Sequence, residues 1–166
     1  MKEPTQIEAA SRLNGFLYGL SAFSGNLRQY ENSAYLLERG DQNQSAGGLI
    51  NEYFSGQYEF KFEPPEALEG GMRELDKCIG AYAIRDSKRV KEDLISDLQD
   101  YLSFRAMDMI EDVFWDEYSS LKVLKLQEKT DPSDDKCVFF CVFSSSQLLV
   151  IQFNDYSRLR SEAPQE

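Results

Sequence analysis

The chain has 166 residues, of which 42% are hydrophobic and 28% charged, and a formal net charge of −11. That length suits one domain with a sizeable core, and the apolar content excludes a chain that stays unfolded. The acidic balance opposes direct binding to nucleic acid or to anionic membranes, which both call for Lys and Arg, and favours fast association with a basic partner.

Along the chain, Thr5 followed by Glu8 has the spacing of a capping box. Ile7, Ala10, Leu13, Leu17 and Leu20 then repeat at helical spacing, so the first helix is predicted to bury that stripe. Gly25 and Asn26 interrupt. A second helix is predicted over 27–39, ending at Gly40 and folding back on the first as a helical hairpin. The segment 40–48, "GDQNQSAGG", reads as a polar loop without the lysine or the spacing of a phosphate-cradling loop. Tyr58, Phe60 and Phe62 alternate with Glu59, Lys61 and Glu63, which predicts a short strand over 57–63, stopped by Pro64 and Pro65.

A third helix is predicted from Pro65 to about Ile84, carried by Leu68, Met72, Leu75, Ile79, Tyr82 and Ala83. The longest helix is predicted over 88–118, with Ile95, Leu98, Leu102, Ala106, Met109 and Val113 on its inner stripe and a break at Ser103 as an alternative. The pattern then changes to strands at 121–129, 136–143 and 148–153. "KCVFFCVF" is apolar on both alternating faces and suits a strand covered on both sides. "TDPSDD" and "SSSQ" supply the turns.

The fold expected is therefore α+β. About four helices form an N-terminal part packed on a three-stranded antiparallel meander, which the strand at 57–63 extends. Residues 1–160 are expected to form one domain and 161–166 a frayed tail.

Histidine is absent. Catalytic triads, Cys–His pairs and HExxH zinc sites all need it, so no catalytic residue, metal ligand set or cofactor is assigned. The three cysteines make no framework. Cys137 and Cys141, on one strand, would stand ~13 Å apart, beyond the ~7 Å reach of a disulfide. Free thiols point to a reducing compartment, so a cytoplasmic location is expected. The start "MKEPTQIEAASRLNGF" has no apolar run of the secretory kind. "CVFFCVFSSSQLLVIQF" is broken by Ser144–Ser146, whereas a spanning helix needs ~20 apolar residues.

One surface stands out. On a helix turning ~100° per residue, Asp93, Asp97, Asp100, Asp108 and Glu111 fall opposite the inner stripe, with Asp112 at the edge and Tyr101, Phe104 and Trp115 among them. Asp is a poor helix former, and like charges at i,i+3 and i,i+4 each cost a few tenths of a kcal/mol. A purely solvated face prefers Lys and Glu; a solvated face with a few aromatics packed on a neighbouring element is the alternative to an interface. Aromatics ringed by carboxylates suit a protein interface, where the rings anchor and the acids steer. Asp97, Asp100, Tyr101, Phe104, Asp108, Glu111 and Trp115 are thus the expected partner-binding residues.

The function expected is a noncatalytic acidic binding protein: an inhibitor, or an immunity or antitoxin-type protein that occludes a basic partner such as a toxin or nuclease. A secretion-type chaperone or adaptor is the alternative within the binding class. A Mg²⁺-dependent carboxylate enzyme is the alternative outside it.

Overall fold

A computed structural model describes residues 5–23, 30–40, 46–53, 60–61, 71–83, 91–115, 117, 121–128 and 136–155. Four helices, α1 (Gln6–Phe23), α2 (Ala46–Tyr53), α3 (Gly71–Ala83) and α4 (Glu92–Val113), accompany five strands. The strands are β1 (Tyr30–Glu38), β2 (Phe60–Lys61), β3 (Lys122–Glu128), β4 (Lys136–Phe143) and β5 (Gln147–Asp155). They form one antiparallel sheet in the order β1-β5-β4-β3-β2. The fold is α+β, as the residue pattern implied.

The meander β3-β4-β5 sits in the middle of that sheet because β4 is apolar on both sides. Val138, Phe140 and Val142 face a core built with Leu13 and Leu17 of α1, Leu75 and Ile79 of α3, and Ala106 and Ile110 of α4. Phe139 and Cys141 face the other way, with Leu126, Leu148 and Val150, under Leu49 and Ile50 of α2. The turn from β4 to β5 is closed by serine. Ser144 Oγ accepts from the N–H groups of Ser146 (3.3 Å) and Gln147 (3.1 Å). Phe60 pairs with Glu128 and Lys61 with Gln127, so the strand anticipated over 57–63 does extend the sheet. The rest of that segment lies outside the described residues, as do the turn at 130–135 and the tail.

The helix anticipated over 27–39 is overturned: Tyr30–Glu38 is a strand, paired along its length with β5. Ala34 is buried on one face of the sheet, and Tyr35 and Leu37 pack on the other. A strand covered on both faces loses its alternation, so "AYLL" carries no period that separates strand from helix. The helical hairpin anticipated between α1 and 27–39 is therefore not formed. Instead α1 lies along the free edge of β1 and satisfies it. The N–H of Asn32 donates to Ser21 Oγ at 2.8 Å, and that of Ala34 to Asn14 Oδ1 at 2.9 Å. An open edge that would invite pairing with other chains is thereby covered by side chains.

The loop reading of 40–48 is also corrected, since α2 begins at Ala46. Two glycines make this a weak helix by propensity, and the burial of Leu49 and Ile50 against the sheet overrides it. In α1 the capping box forms as expected: Thr5 N–H donates to Glu8 Oε2 (2.8 Å) and Glu8 N–H to Thr5 Oγ1 (3.3 Å). Ile7, expected in the core stripe, is 71% exposed. It belongs to the first turn, and Ala9, Ala10 and Leu13 take the buried side.

Candidate functional site

The residues singled out in the sequence lie on or just beyond α4. The helix is unbroken through Ser103 and spans 22 residues, about 33 Å. Its ends differ from the span 88–118. Lys91 is its N-cap, with extended backbone and no side-chain cap, and the helix stops at Val113, where the Phe114 N–H donates to the Glu111 carbonyl. Residues 88–90 lie outside the described set.

The buried side of α4 is centred on Ala106, Ile110 and Val113, with Ser103 also inside. Leu98, Leu102 and Met109 pack at its margin. The opposite side carries Asp93, Asp97, Asp100 and Glu111, all exposed. Tyr101 is 59% exposed and Phe104 62%. These rings have no place in the core and stand among the carboxylates. Leu94, exposed on the same side, was not anticipated. Trp115 is 68% exposed, but it sits past the helix end, so helical spacing does not set its direction.

The carboxylates are not equivalent. Asp108 is half-buried and meets Arg105 at 3.1 Å on its own helix. Asp112 meets Arg12 of α1 at 3.2 Å. Glu117 accepts from the Ser145 N–H (2.9 Å) and Ser145 Oγ (3.0 Å), tying the end of α4 to the β4–β5 turn. Those bonds, the backbone N–H first, hold its carboxyl below the usual range. Asp97, Asp100 and Glu111 have no ion-pair partner among the described residues. The free negative charge of the site is theirs, so Asp108 is the least available of the anticipated acids.

These acids spread along a helix and do not converge. Among the described residues no group of three or more Cys, Asp or Glu side chains is placed to hold a metal, so the surface offers charge and contact area rather than a coordination sphere. Cys141 adds no reactive group there. It is free and buried, and loss of solvent pushes its pKa up, which leaves it inert as a nucleophile.

A groove beside this face was not anticipated. Asp76 of α3 meets Ser103 of α4, whose hydroxyl donates to the Asp76 carbonyl oxygen at 2.7 Å and touches its carboxylate. Gly80 lies against Gln99 and Ser103. The two helices therefore run in opposite directions, and between them is an open cleft of about 770 Å³. Its α3 wall presents Arg73 and Lys77, its α4 wall Asp100 and Phe104. The available signal was the i,i+4 spacing of Arg73 and Lys77 followed by Gly80-Ala81: a charged ridge beside a position without side-chain bulk.

Comparison with protein-family models, with curated proteins and with solved structures finds no match to this chain. No helix among the described residues is long and apolar enough to cross a membrane.

Proposed function

We propose that this chain is a noncatalytic binding protein whose α4 face docks on a basic protein and occludes it, in the manner of an inhibitor or an immunity or antitoxin-type protein acting on a toxin or nuclease. One observation carries this reading. Asp97, Asp100 and Glu111 are exposed and unpaired among the described residues, while Tyr101 and Phe104, more than half exposed, stand between them. Unneutralised acids raise the encounter rate with a cationic surface. Aromatic rings lose little rotamer freedom on burial and anchor the docked state. A partner held there would have its own cationic cleft covered, which blocks access without any chemistry by this chain.

The test starts from the partner recovered with the tagged protein from native host cells. Association of the purified pair is then followed as a function of salt. Asp97→Asn with Asp100→Asn and Glu111→Gln should slow association about tenfold at low salt and flatten its salt dependence. Phe104→Ala should mainly speed dissociation. On-rates that stay unchanged through the triple neutralisation would place the interface elsewhere and end this reading.

A further inference from the structure

The α3–α4 groove has walls of unlike charge: Arg73 and Lys77 flank Asp76 on α3, where the Asp76 carboxylate is engaged by Ser103, and Asp100 stands on α4. Arg73 and Lys77 stand exposed one turn apart on α3, and Asp100 stands exposed on α4. No ion pair joins them to each other or to any other described residue. Facing charges left unpaired across an open cleft are available to a third body.

The floor between the walls has little bulk. A Cβ built on Gly80 would stand 3.6 Å from the Gln99 carbonyl oxygen and 3.8 Å from the Ser103 Cβ, so the two helices pack closely at that position. Ser103 is turned down onto Asp76. Met72 and Met107 line the same cleft, and their unbranched, polarisable side chains adapt to an apolar ridge. From Arg73 to Ala81 the α3 wall runs about 12 Å at the helical rise, or roughly two helical turns of an occupant.

We propose that this groove receives an amphipathic helix of the partner protein, with an apolar ridge on the floor, basic residues over Asp100 and acidic residues over Arg73 and Lys77. The assignment rests on the reading of α4 as a docking surface, and deepens it by specifying a segment with both charge signs, one on each flank. Charge complementarity chooses this occupant: a uniformly basic helix would meet Arg73 and Lys77 with like charge, and a uniformly acidic one would meet Asp100. The ordered walls also fix the direction in which such a helix lies, because reversing it exchanges its flanks.

The probe is a synthetic helical peptide of about five turns, with a leucine ridge, lysines on one flank and glutamates on the other. Two companions have the same ridge: one mixes lysine and glutamate on both flanks, the other has lysine on both. Binding to the full chain is measured by fluorescence anisotropy at low salt. The two-sided peptide should bind about fivefold or more tighter than the mixed one, in line with a few exposed ion pairs formed or lost. Arg73→Glu with Lys77→Glu should then shift the preference about tenfold toward the lysine-only peptide, since attraction and repulsion exchange. Ala81→Trp, at an exposed position of the cleft, should weaken the two-sided peptide while circular dichroism stays unchanged. If the lysine-only peptide binds best to the unaltered chain and ignores both the α3 reversal and Ala81→Trp, the groove is removed and the acidic face of α4 stands. Equal binding of all three peptides also removes the groove. Failure of the α4 reading itself would show separately, as partner on-rates indifferent to neutralisation of Asp97, Asp100 and Glu111.

Discussion

α1 and α4 lie on the same face of the sheet and line one core, Leu13 and Leu17 from the first and Ala106 and Ile110 from the second. Their outer sides differ. α1 carries one acid, Glu8, and one base, Arg12, and its exposed positions include Ser11, Gly15, Gly19 and Ala22. α4 carries seven acidic residues and a single arginine. The inward demands on the two helices are alike, so core packing does not account for the contrast. Three polar groups of α1 are spent internally: Asn14 and Ser21 serve the edge of β1, and Arg12 reaches Asp112. Those of α4 are largely left facing water. One helix is occupied with holding the sheet together, and the other keeps a charge pattern that its own stability does not favour.

The largest expected effect removes what both helices stand on. Phe140 is fully buried beneath them and meets Phe153 edge-on at 6.1 Å. Phe140→Ala should lower stability by about 3–5 kcal/mol, read as a shifted denaturation midpoint with an unchanged slope. A loss below about 1 kcal/mol would mean that the shared core is not the principal support.

The next effect is specific to α1. Ser21→Ala leaves the buried N–H of Asn32 without an acceptor, a loss of about 1–3 kcal/mol. Hydrogen exchange should accelerate at Asn32 and its neighbours in β1 and stay slow in β4. Uniform acceleration would show that α1 acts only as apolar cover.

Smaller again are the outer faces. Gly15 and Gly19 are exposed, and a Cβ on either meets nothing within 4 Å. Each change to Ala should stabilise by about 0.5–1 kcal/mol, through the entropy that glycine loses on entering a helix. Asp97→Asn with Asp100→Asn should stabilise by only a few tenths of a kcal/mol, from relief of like-charge repulsion. If that pair instead destabilised clearly, the α4 face would hold the fold and the contrast with α1 would collapse.

The smallest effect concerns pH. Glu117 has its carboxyl pKa lowered by the Ser145 bonds relative to the ordinary 4.5. The link it makes between α4 and the β4–β5 turn is therefore present above about pH 4.5, and is lost as pH falls through the lower folded-state value. Glu117→Gln should flatten the fall in denaturation midpoint on acidification. An unchanged acid limb would show that the contact is too exposed to matter.

Much of this architecture can be read from residue order where one face differs from the other. The capping box at Thr5 and Glu8, the meander, and the outward face of α4 all follow from periodicity. The reading fails where both sides of an element are covered and polar residues interrupt its apolar run, as they do in β1 but not over 137–143 of β4. In Tyr30–Glu38 burial on two faces erases the alternation, and the polar Asn32 and Ser33 that are buried there give no hint of strand. In Ala46–Tyr53 two glycines suggest loop, and only contact with the sheet makes the helix. The same limit applied at the site. Asp97, Asp100, Tyr101 and Phe104 were legible because they belong to one helix. The pairing of Asp108 with Arg105 and the groove opposite Arg73 were not, because the first depends on rotamers and the second on which helix lies alongside.

The position of β5 has a consequence in time. Tyr30 pairs with Asp155 and Glu38 with Gln147, so β1 is made early and its sheet partner is made long afterwards. Until β5 exists, β1 has only α1 beside it, with Ser21 and Asn14 holding two of its amides. Sheet completion is then a late, long-range closure of the kind that slows folding. A nascent chain halted before Gln147 would present β1 and β4 with no strand between them, a pair of unsatisfied edges prone to capture by other chains. The protein's vulnerability during synthesis is thus concentrated in the interval before β5 is made.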